Sequence, residues 1–538
     1  MKTKILTLIG FMLFLSFSVN AGLFSSCGTI SSSGIWALTQ NITSESTCLK
    51  VTADNVEIDG QGYTMDYSIT STGYGVYVLG RTNITIHGFR VNHAPLGTFV
   101  VYALNAHRIT FQDNIISTPV SAFLYNSSDK GIIRNNTVTI TGDGSAGIIV
   151  YNSQATLVTG NHITATGATS NCISLYGSSN NNVIDNLLIG STGWAAIGLG
   201  NFGNYNRISY NNVTVTGSYE AGLYLEDTNY NVIENNNILC NTTTGTSQGG
   251  LYFVRSDQNN ITGNNIRTTD DDGYGFELGM TSNYNLFTGN VVHSTGSTGS
   301  GIYLRPGSDN NTFINNSLYS TGAHGTGAYI NSYSNTIIGG SVESINGADY
   351  YLIEAGKNNN FSETNFSTLK TIYFFDNNSQ FNYQNDSFQP FLKTGTLTAD
   401  KTLTRTILNW TKAYLQWNDS GSTTAIYTVS RLNVRSNYSV YDGSMNVYDL
   451  TSSETGSINF TLALRSEGSA ISVRMTAMGP QEEVSEHTTT TSHVTTTTMK
   501  PGNVKNNDQN PVNWGILILI IIGIGIFWFN VLKNKKSH

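Results

Sequence analysis

The central part of the chain alternates apolar and polar residues in short runs, and the pattern recurs about every 25 residues. Each copy contains an Asn followed two positions later by a large aliphatic residue. The Asn residues of the nine clear copies are Asn114, Asn136, Asn161, Asn186, Asn211, Asn236, Asn264, Asn290 and Asn316. Short alternating runs predict β-strands, and a fixed period of this length predicts a solenoid of stacked coils.

The repeat predicts strands that pair in parallel between successive coils, ~4.8 Å apart. The usual handedness of parallel crossovers makes such a coil right-handed. Asn tolerates the left-handed backbone that a sharp corner needs, and its amide can bond to the Asn of the next coil. We therefore expect an all-β fold with a right-handed parallel β-helix of about 12 to 13 coils over residues 58–380. Residues 22–57 are expected to form its N-terminal cap.

A second apolar pattern, Gly followed by two apolar residues that flank a variable one, recurs upstream of the Asn positions. Its copies begin at Gly75, Gly147, Gly222, Gly250, Gly275 and Gly301. Because strand side chains alternate, the variable residue should point outward. In successive coils it is Tyr77, Ile149, Ser174, Gly198, Tyr224, Tyr252, Glu277, Tyr303 and Tyr329. An exposed column of Tyr on a flat, open sheet favours stacking on sugar rings, which makes Tyr77, Tyr224, Tyr252, Tyr303, Tyr329 and the nearby Arg305 the candidate carbohydrate-binding residues. The open alternative is that Tyr serves only as a good strand former.

Two acidic features suggest further chemistry. Glu226 and Glu277 lie two coils apart, ~10 Å, which is near the separation of the carboxylates in an inverting glycosidase. Asp270, Asp271 and Asp272 form an acidic turn that predicts a Ca²⁺ site, and the alternative is a solvated polar turn. Ca²⁺ is the one cofactor that the sequence suggests. The net charge of −8 and the lack of a basic stripe exclude a nucleic-acid partner.

The flanking segments predict a protein that is anchored at a surface. Residues 1–21 have the pattern of a signal peptide, and residues 384–479 predict an immunoglobulin- or fibronectin-like antiparallel β-sandwich. A Thr-rich stalk over residues 480–513 leads to a transmembrane helix at 514–532 and a Lys-rich cytoplasmic tail at 533–538. The expected topology is a single pass through the membrane with the N-terminus outside.

Oxidising conditions outside the cell favour a disulfide between Cys27 and Cys48 across the cap, with two unbonded thiols as the alternative. Cys172 and Cys240 are expected to be separate thiols in the core. The best candidates for N-glycosylation lie in the predicted sandwich. They are Asn409, Asn418, Asn437 and Asn459.

The segment from Cys27-Gly-Thr through Trp36-Ala-Leu and Cys48-Leu-Lys to Asp59-Gly-Gln-Gly resembles the start of β-helix domains in archaeal cell-surface proteins. The coils resemble the right-handed β-helix repeat families, in particular NosD-like and pectate-lyase-like proteins. NosD-like proteins are copper-associated, but no Met/His cluster in this sequence matches that role. The acidic and basic motifs of the lyases have no clear counterparts here.

Pattern and resemblance together predict a non-catalytic cell-surface or envelope protein that binds glycans or acts as an adhesin along its Tyr face. The alternative is a membrane-tethered polysaccharide lyase or glycoside hydrolase, with its site around Glu226 and Glu277. The small variation in coil length favours the first reading, because it leaves no room for a large loop to form a cleft wall.

Overall fold

The computed structural model describes residues 21–479 except for short gaps at residues 93, 192–194, 218–220, 242–248, 353–355, 357, 363, 367–369, 375–379, 382–389, 397–400 and 422. Residues 1–20 of the predicted signal peptide lie outside this range, as do the predicted stalk, transmembrane helix and tail. Within the described residues, no helix has the length and apolar character needed to cross a membrane.

The repeats form a parallel β-helix with three long sheets, which we number in the order in which each coil visits them. The strands of sheet 1 are Gly28–Ile30, Leu49–Val51, Gly73–Leu79, Gly97–Leu104, Ser121–Asn126, Ala146–Tyr151, Asn171–Tyr176, Ala195–Gly200, Ala221–Glu226, Leu251–Val254, Phe276–Gly279, Ile302–Leu304, Ala328–Ile330, Tyr350–Leu352 and Lys370–Phe374. The strands of sheet 2 are Ala21–Phe24, Gly34–Leu38, Val56–Asp59, Thr82–His87, His107–Gln112, Ile132–Arg134, Leu157–Thr159, Asn182–Ile184, Arg207–Ser209, Val232–Glu234, Asn260–Thr262, Leu286–Thr288, Thr312–Ile314, Thr336–Ile338, Asn360–Ser362 and Gln380–Phe381. The strands of sheet 3 are Arg90–Val91, Ile115–Thr118, Thr137–Ile140, His162–Ala165, Leu187–Gly190, Asn212–Val215, Asn237–Cys240, Asn265–Thr268, Val291–Ser294, Ser317–Ser320, Ser341–Ser344 and Asn365–Phe366.

The parallel β-helix that the sequence predicts is confirmed, with about 13 turns. Ile42–Thr43 and Met65–Asp66 form one more short parallel pair near the N-terminus. Residues 22–57, which we expected to form the N-terminal cap, supply strands to sheets 1 and 2. The structure joins Cys27 to Cys48 by a disulfide across this first part of the solenoid. Cys172 and Cys240 are both buried in the core.

Buried Asn side chains bond one coil to the next along the corner between sheets 2 and 3. The backbone NH and the Nδ2 of Asn211 both donate to Oδ1 of Asn236, each at 3.0 Å. Nδ2 of Asn211 also donates to the carbonyl of Val183 at 2.9 Å. The expected ladder of amides is therefore present, and it pairs buried polar groups that would otherwise destabilise the corner.

The backbone conformation at this corner differs from the expectation. None of the nine Asn residues has a positive φ, and the left-handed residue is the one before each Asn, as at Asn135, Asp185 and Tyr210. The buried Asn keeps an ordinary backbone, so its side chain points inward to the next coil. The exposed residue before it makes the turn, and this is why Gly occupies that position at Gly160, among others.

A second Asn ladder, which the sequence reading missed, lies at the corner between sheets 1 and 2. Nδ2 of Asn206 donates to Oδ1 of Asn231 at 3.2 Å, and the backbone NH of Asn206 donates to the same oxygen at 2.8 Å. Its members lie five residues before the slot of the first ladder and are Asn181, Asn206, Asn231, Asn259, Asn285, Asn311, Asn335 and Asn359. Two Asn residues spaced by five in each of six successive coils, from Asn181 to Asn316, are a sequence signal that would have revealed it.

The strands after the parallel helix are antiparallel, as predicted for the C-terminal part. They are Phe391–Thr396, Lys401–Trp410, Tyr414–Ser420, Thr424–Ser430, Asn437–Asp442, Met445–Thr451, Ile458–Ala463 and Ser469–Ala477. They pair directly with the last strands of the solenoid, since Lys401–Trp410 extends sheet 1 and Phe391–Thr396 extends sheet 2.

A buried ion pair lies between the two antiparallel sheets. Arg405 and Asp419 are both fully buried, and Nε and Nη2 of the arginine donate to the two carboxylate oxygens at 2.7 and 2.6 Å. Trp417 and Tyr427 also donate to Oδ2 of Asp419. These bonds compensate the charges that folding removes from water, so loss of either ion would destabilise this end of the protein.

Candidate functional site

The outward-facing residues of sheet 1 form one continuous column in the last coils of the helix. The strand register pairs each residue with the next one, in the order Tyr224, Tyr252, Glu277, Tyr303, Tyr329 and Tyr351. The ring centres are 4.8 Å apart for Tyr303 and Tyr329 and 5.0 Å apart for Tyr329 and Tyr351. The structure thus places the predicted Tyr residues in register and adds Tyr351, which the Gly-based pattern missed because Asp349 stands in the Gly position.

The same column is different in the preceding coils. Tyr77 pairs with Tyr102, at a ring distance of 5.7 Å. The next four members are Leu124, Ile149, Ser174 and Gly198. A Cβ atom at Gly200 would lie 2.9 Å from the ring of Tyr176, which therefore covers the outer face at this point. The aromatic column is interrupted across the middle of the solenoid.

The face around the later Tyr residues is a groove, which corrects the expectation of a flat, open sheet. A pocket of about 540 Å³ lies over Tyr303, Tyr329 and Tyr351. The turns that precede the strands of sheet 1 supply its wall, whose residues are Tyr274, Thr298, Ser300, Ala323, His324, Thr326, Asn346, Gly347 and Ala348. We use the name aromatic groove for the Tyr residues of this pocket together with the two preceding residues of the column, Tyr252 and Glu277. Its Tyr residues in the pocket are Tyr274, Tyr303, Tyr329 and Tyr351.

Short turns are able to build this wall because they stack on one another. The backbone NH of Thr298 donates to the carbonyl of Asp271 at 2.7 Å, and that of His324 donates to Ser297 at 2.7 Å. Coils of nearly equal length therefore place their turns side by side along the rod. A continuous wall therefore needs no long inserted loop, contrary to the expectation from the small variation in coil length.

Glu277 occupies a Tyr position in the column, but its carboxylate is buried and paired. Only 2 % of its side chain is exposed. Nε of Arg305 donates to Oε1 of Glu277 at 2.6 Å, and the guanidinium lies 4.9 Å from the ring centre of Tyr303. Burial raises the pKa of Glu277 to about 7 even though Arg305 opposes that shift. A buried, paired carboxyl group that titrates near neutrality thus lies among the Tyr rings.

Glu226, the second acid of the predicted pair, is in a different environment. It lies at the exposed end of its strand and accepts a hydrogen bond from Nη2 of Arg255 at 2.6 Å. Arg255 also bonds Asp227 through Nε at 2.7 Å, and these two acids raise the pKa of Arg255. The charges of both Glu–Arg pairs act on Tyr252, which lies between them.

The three consecutive aspartates are spread over different environments. Asp270 is buried, whereas Asp271 and Asp272 are not. The hydroxyl of Thr298 donates to the backbone carbonyl of Asp271 and to the side chain of Asp272. Among the described residues, no three or more His, Cys, Asp or Glu side chains come together as metal ligands.

The four predicted glycosylation residues are all exposed on the C-terminal strands. Asn409, Asn418, Asn437 and Asn459 lie on four different strands, and each has an exposed side chain. Asn437 and Asn459 accept hydrogen bonds from Thr451 and Thr428, respectively.

Two family models match the sequence. One is described as Periplasmic copper-binding protein (NosD) and matches residues 29–192. The other is described as Right handed beta helix region and matches residues 123–292 and 171–342. No match to a curated protein is found.

The described residues do not fit a copper site. Cys27 and Cys48 are consumed by their disulfide, and Cys172 and Cys240 lie on different sheets of the core. The imidazole of His87 is hydrogen-bonded to Glu57, and the ring of His293 packs against Tyr319. No soft ligand set of the kind that copper prefers is therefore assembled in this part of the chain.

Solved structures share the architecture at low sequence identity. A mutant tailspike protein of E. coli bacteriophage HK620 in complex with a hexasaccharide is 11% identical, with a TM-score of 0.53 and coverage of 85% of this chain and 86% of that one. A second tailspike mutant of this phage, in complex with a pentasaccharide, is 10% identical, with a TM-score of 0.51 and coverage of 83% and 86%. The mannuronan C-5 epimerase A-module of Azotobacter vinelandii is 13% identical, with a TM-score of 0.40 and coverage of 51% and 83%. At such identities the likeness shows the fold alone, and the chain is a right-handed parallel β-helix repeat protein whose N-terminal part resembles NosD.

Proposed function

We propose that this protein binds glycans in the aromatic groove. The observation that carries the proposal is the row of Tyr303, Tyr329 and Tyr351 on the floor of a pocket of about 540 Å³. Aromatic rings in a row offer apolar faces to sugar rings, and their hydroxyl groups offer hydrogen bonds at the edge. Binding sites for small molecules and oligosaccharides are typically concave in this way.

The polar residues of the wall complement such a ligand. Thr298, Thr326 and Asn346 line the pocket beside the Tyr floor. Hydroxyl and amide groups both donate and accept hydrogen bonds, as sugar hydroxyls do. The tailspike structures hold oligosaccharides on a similar fold, so a ligand of this class is compatible with a rod of stacked coils.

The segments outside the described residues support a role at the cell surface. The signal-like start, the Thr-rich stalk, the apolar segment 514–532 and the following Lys residues suggest a single anchor that holds the rod outside the membrane. The antiparallel strands, of an immunoglobulin- or fibronectin-like type, would connect the rod to the stalk. The protein would then act as an envelope component or adhesin, and the exposed Asn409, Asn418, Asn437 and Asn459 would carry N-glycans.

One observation favours a second candidate function, a tethered polysaccharide-cleaving enzyme. The carboxyl group of Glu277 has a pKa of about 7, which is suitable for a general acid at neutral pH. Glu226 would act with it as the second carboxylate. The hydrogen bonds of Glu277 and Glu226 to Arg305 and Arg255 speak for a structural role instead, so we prefer the binding function.

The test is a binding assay of the full-length protein against neutral and acidic polysaccharides, with and without Ca²⁺. We expect Tyr303→Ala to weaken binding at least about tenfold, because it removes a central stacking surface. Ile149→Ala is the matched control, since it changes the same column outside the groove. Equal losses in both variants would contradict the proposal. Release of reducing ends that stops in Glu277→Gln would establish the enzyme instead.

A further inference from the structure

The charges along the aromatic groove restrict the kind of glycan that it accepts. Glu277 pairs with Arg305 within it, and Glu226 and Asp227 pair with Arg255 at its end, beside Tyr252. A fourth carboxylate, that of Asp272, lies two residues before Tyr274. Burial raises the pKa of Tyr274, and the negative charge of Asp272 adds to this rise, so the aspartate acts directly on the groove. Among these groups at and beside the groove, four carboxylates face two guanidinium groups.

Both guanidinium groups are already engaged by carboxylates. Arg305 donates from Nε and Nη2 to Glu277, at 2.6 and 2.5 Å. Arg255 donates to Asp227 from Nε at 2.7 Å and from Nη2 at 3.0 Å, and to Glu226 from Nη2 at 2.6 Å. An acidic sugar could recruit either arginine only by displacing an acid. Displacement of Glu277 would leave a buried carboxylate without its cation, which is unfavourable.

We infer that the groove selects neutral glycans over glycans that carry uronate or sulfate groups. This inference rests on the proposed function. A sugar ring stacked on Tyr252 or Tyr303 would lie beside the Glu277–Arg305 pair. A neutral ring can donate hydroxyl hydrogens to the half-buried carboxylates of Glu226 and Asp272, and such charge-assisted hydrogen bonds are strong. A carboxylate at the same place meets like charge and has nothing to donate.

The experiment compares polygalacturonate with its carboxyl-reduced derivative, which has the same backbone and linkages but no charge. The full-length protein is immobilised, and binding is measured at pH 7.5 in low salt. We expect the neutral polymer to bind at least about tenfold more tightly, and we expect the ratio to fall toward one in high salt because the repulsion is screened. Equal or tighter binding of polygalacturonate would overturn the inference and leave the proposed function intact.

Two charge variants distinguish the effect of charge near the groove from the effect of the protein's net charge. Glu226→Gln removes one groove carboxylate, and Arg255 keeps its bonds to Asp227. Glu343→Gln, on sheet 3, makes the same change in net charge away from the groove. The preference for the neutral polymer should fall about threefold or more in the first variant and stay unchanged in the second. An equal fall in both variants would refute selection by the groove. If neither polymer nor any other glycan of the panel binds, the proposed function itself fails.

Discussion

Two stretches of sheet 1 present different outward side chains, although the same Asn ladder supports both. In the coils of residues 121–200 the outward column of sheet 1 is aliphatic or small, and a Tyr ring covers part of it. In the coils of residues 221–352 the column is mainly aromatic, and its last part lies in a pocket. The Asn ladder is the same beneath both. Nδ2 of Asn161 and Nδ2 of Asn264 each donate to the next Asn at 3.0 Å and to a carbonyl of the preceding coil at 2.9 Å.

The comparison distinguishes the residues that stabilise the solenoid from the residues that form its outer surface. Stacked coils share one core and one set of ladders, so each coil depends chiefly on its neighbours. The outward residue of a strand contributes little to that stacking, and it is free to be Ser174 in one coil and Tyr303 in another. A binding surface can therefore occupy part of a uniform solenoid.

The largest effect should come from breaking the ladder in each stretch. Asn161→Ala and Asn264→Ala each leave several buried donors and acceptors unpaired, which should cost about 3 to 5 kcal/mol of unfolding free energy. Urea denaturation would measure it. If the frame is uniform, the two losses should agree within about 1 kcal/mol. The control is Asn265→Ala, an exposed neighbour whose loss should be small. A large loss in only one of the two ladder variants would refute a common frame.

The next effect is confined to the aromatic stretch, because it depends on Glu277. Its folded pKa of about 7 lies above the ordinary value of 4.5, so the folded protein binds a proton that the unfolded chain has already released between these values. Its contribution to stability is therefore greatest at low pH and is lost as the pH rises through 7. Relative to Glu277→Gln, the wild-type protein should lose roughly 3 kcal/mol between pH 4.5 and 7.5.

Thermal or urea unfolding at several pH values would test this dependence. Ser174→Ala is the matched control, because it changes the same column in the aliphatic stretch without removing an ionisable group. Its stability should follow that of the wild-type protein at every pH. A Glu277→Gln variant whose stability falls in parallel with the wild-type protein would show that the carboxyl group titrates as an ordinary surface acid.

The sequence was sufficient for the fold and for the register of the column. Period and alternation locate the strands, and a side chain such as Tyr252 or Tyr303 then has only one face on which to lie. The chemistry of the site was less accessible. Glu277 looks like another solvent-facing residue in its own strand, and its burial depends on turns and on Arg305, 28 residues away. Alternation within a strand carries no information about neighbours in the next coil.

The smallest effect concerns the first aromatic patch, which is formed by Tyr77 and Tyr102. Five coil steps separate Tyr102 from Tyr224, a distance of roughly 24 Å. A hexasaccharide in the groove should therefore bind Tyr102→Ala as tightly as the wild-type protein. A long polymer can contact both patches, and loss of one contact lowers its effective local concentration. We expect its binding to weaken two- to fivefold.

Comparing the hexasaccharide with the long polymer shows whether the two aromatic patches form one binding site. Measuring both ligands against Tyr102→Ala and against Ile149→Ala, which lies between the patches, distinguishes the cases. If polymer binding weakens in Tyr102→Ala but not in Ile149→Ala, the polymer contacts both aromatic patches and does not depend on the aliphatic residues between them. Loss of hexasaccharide binding in Tyr102→Ala would mean that the ligand lies on the first patch. The aliphatic coils would then mark the end of the site and not a gap within it.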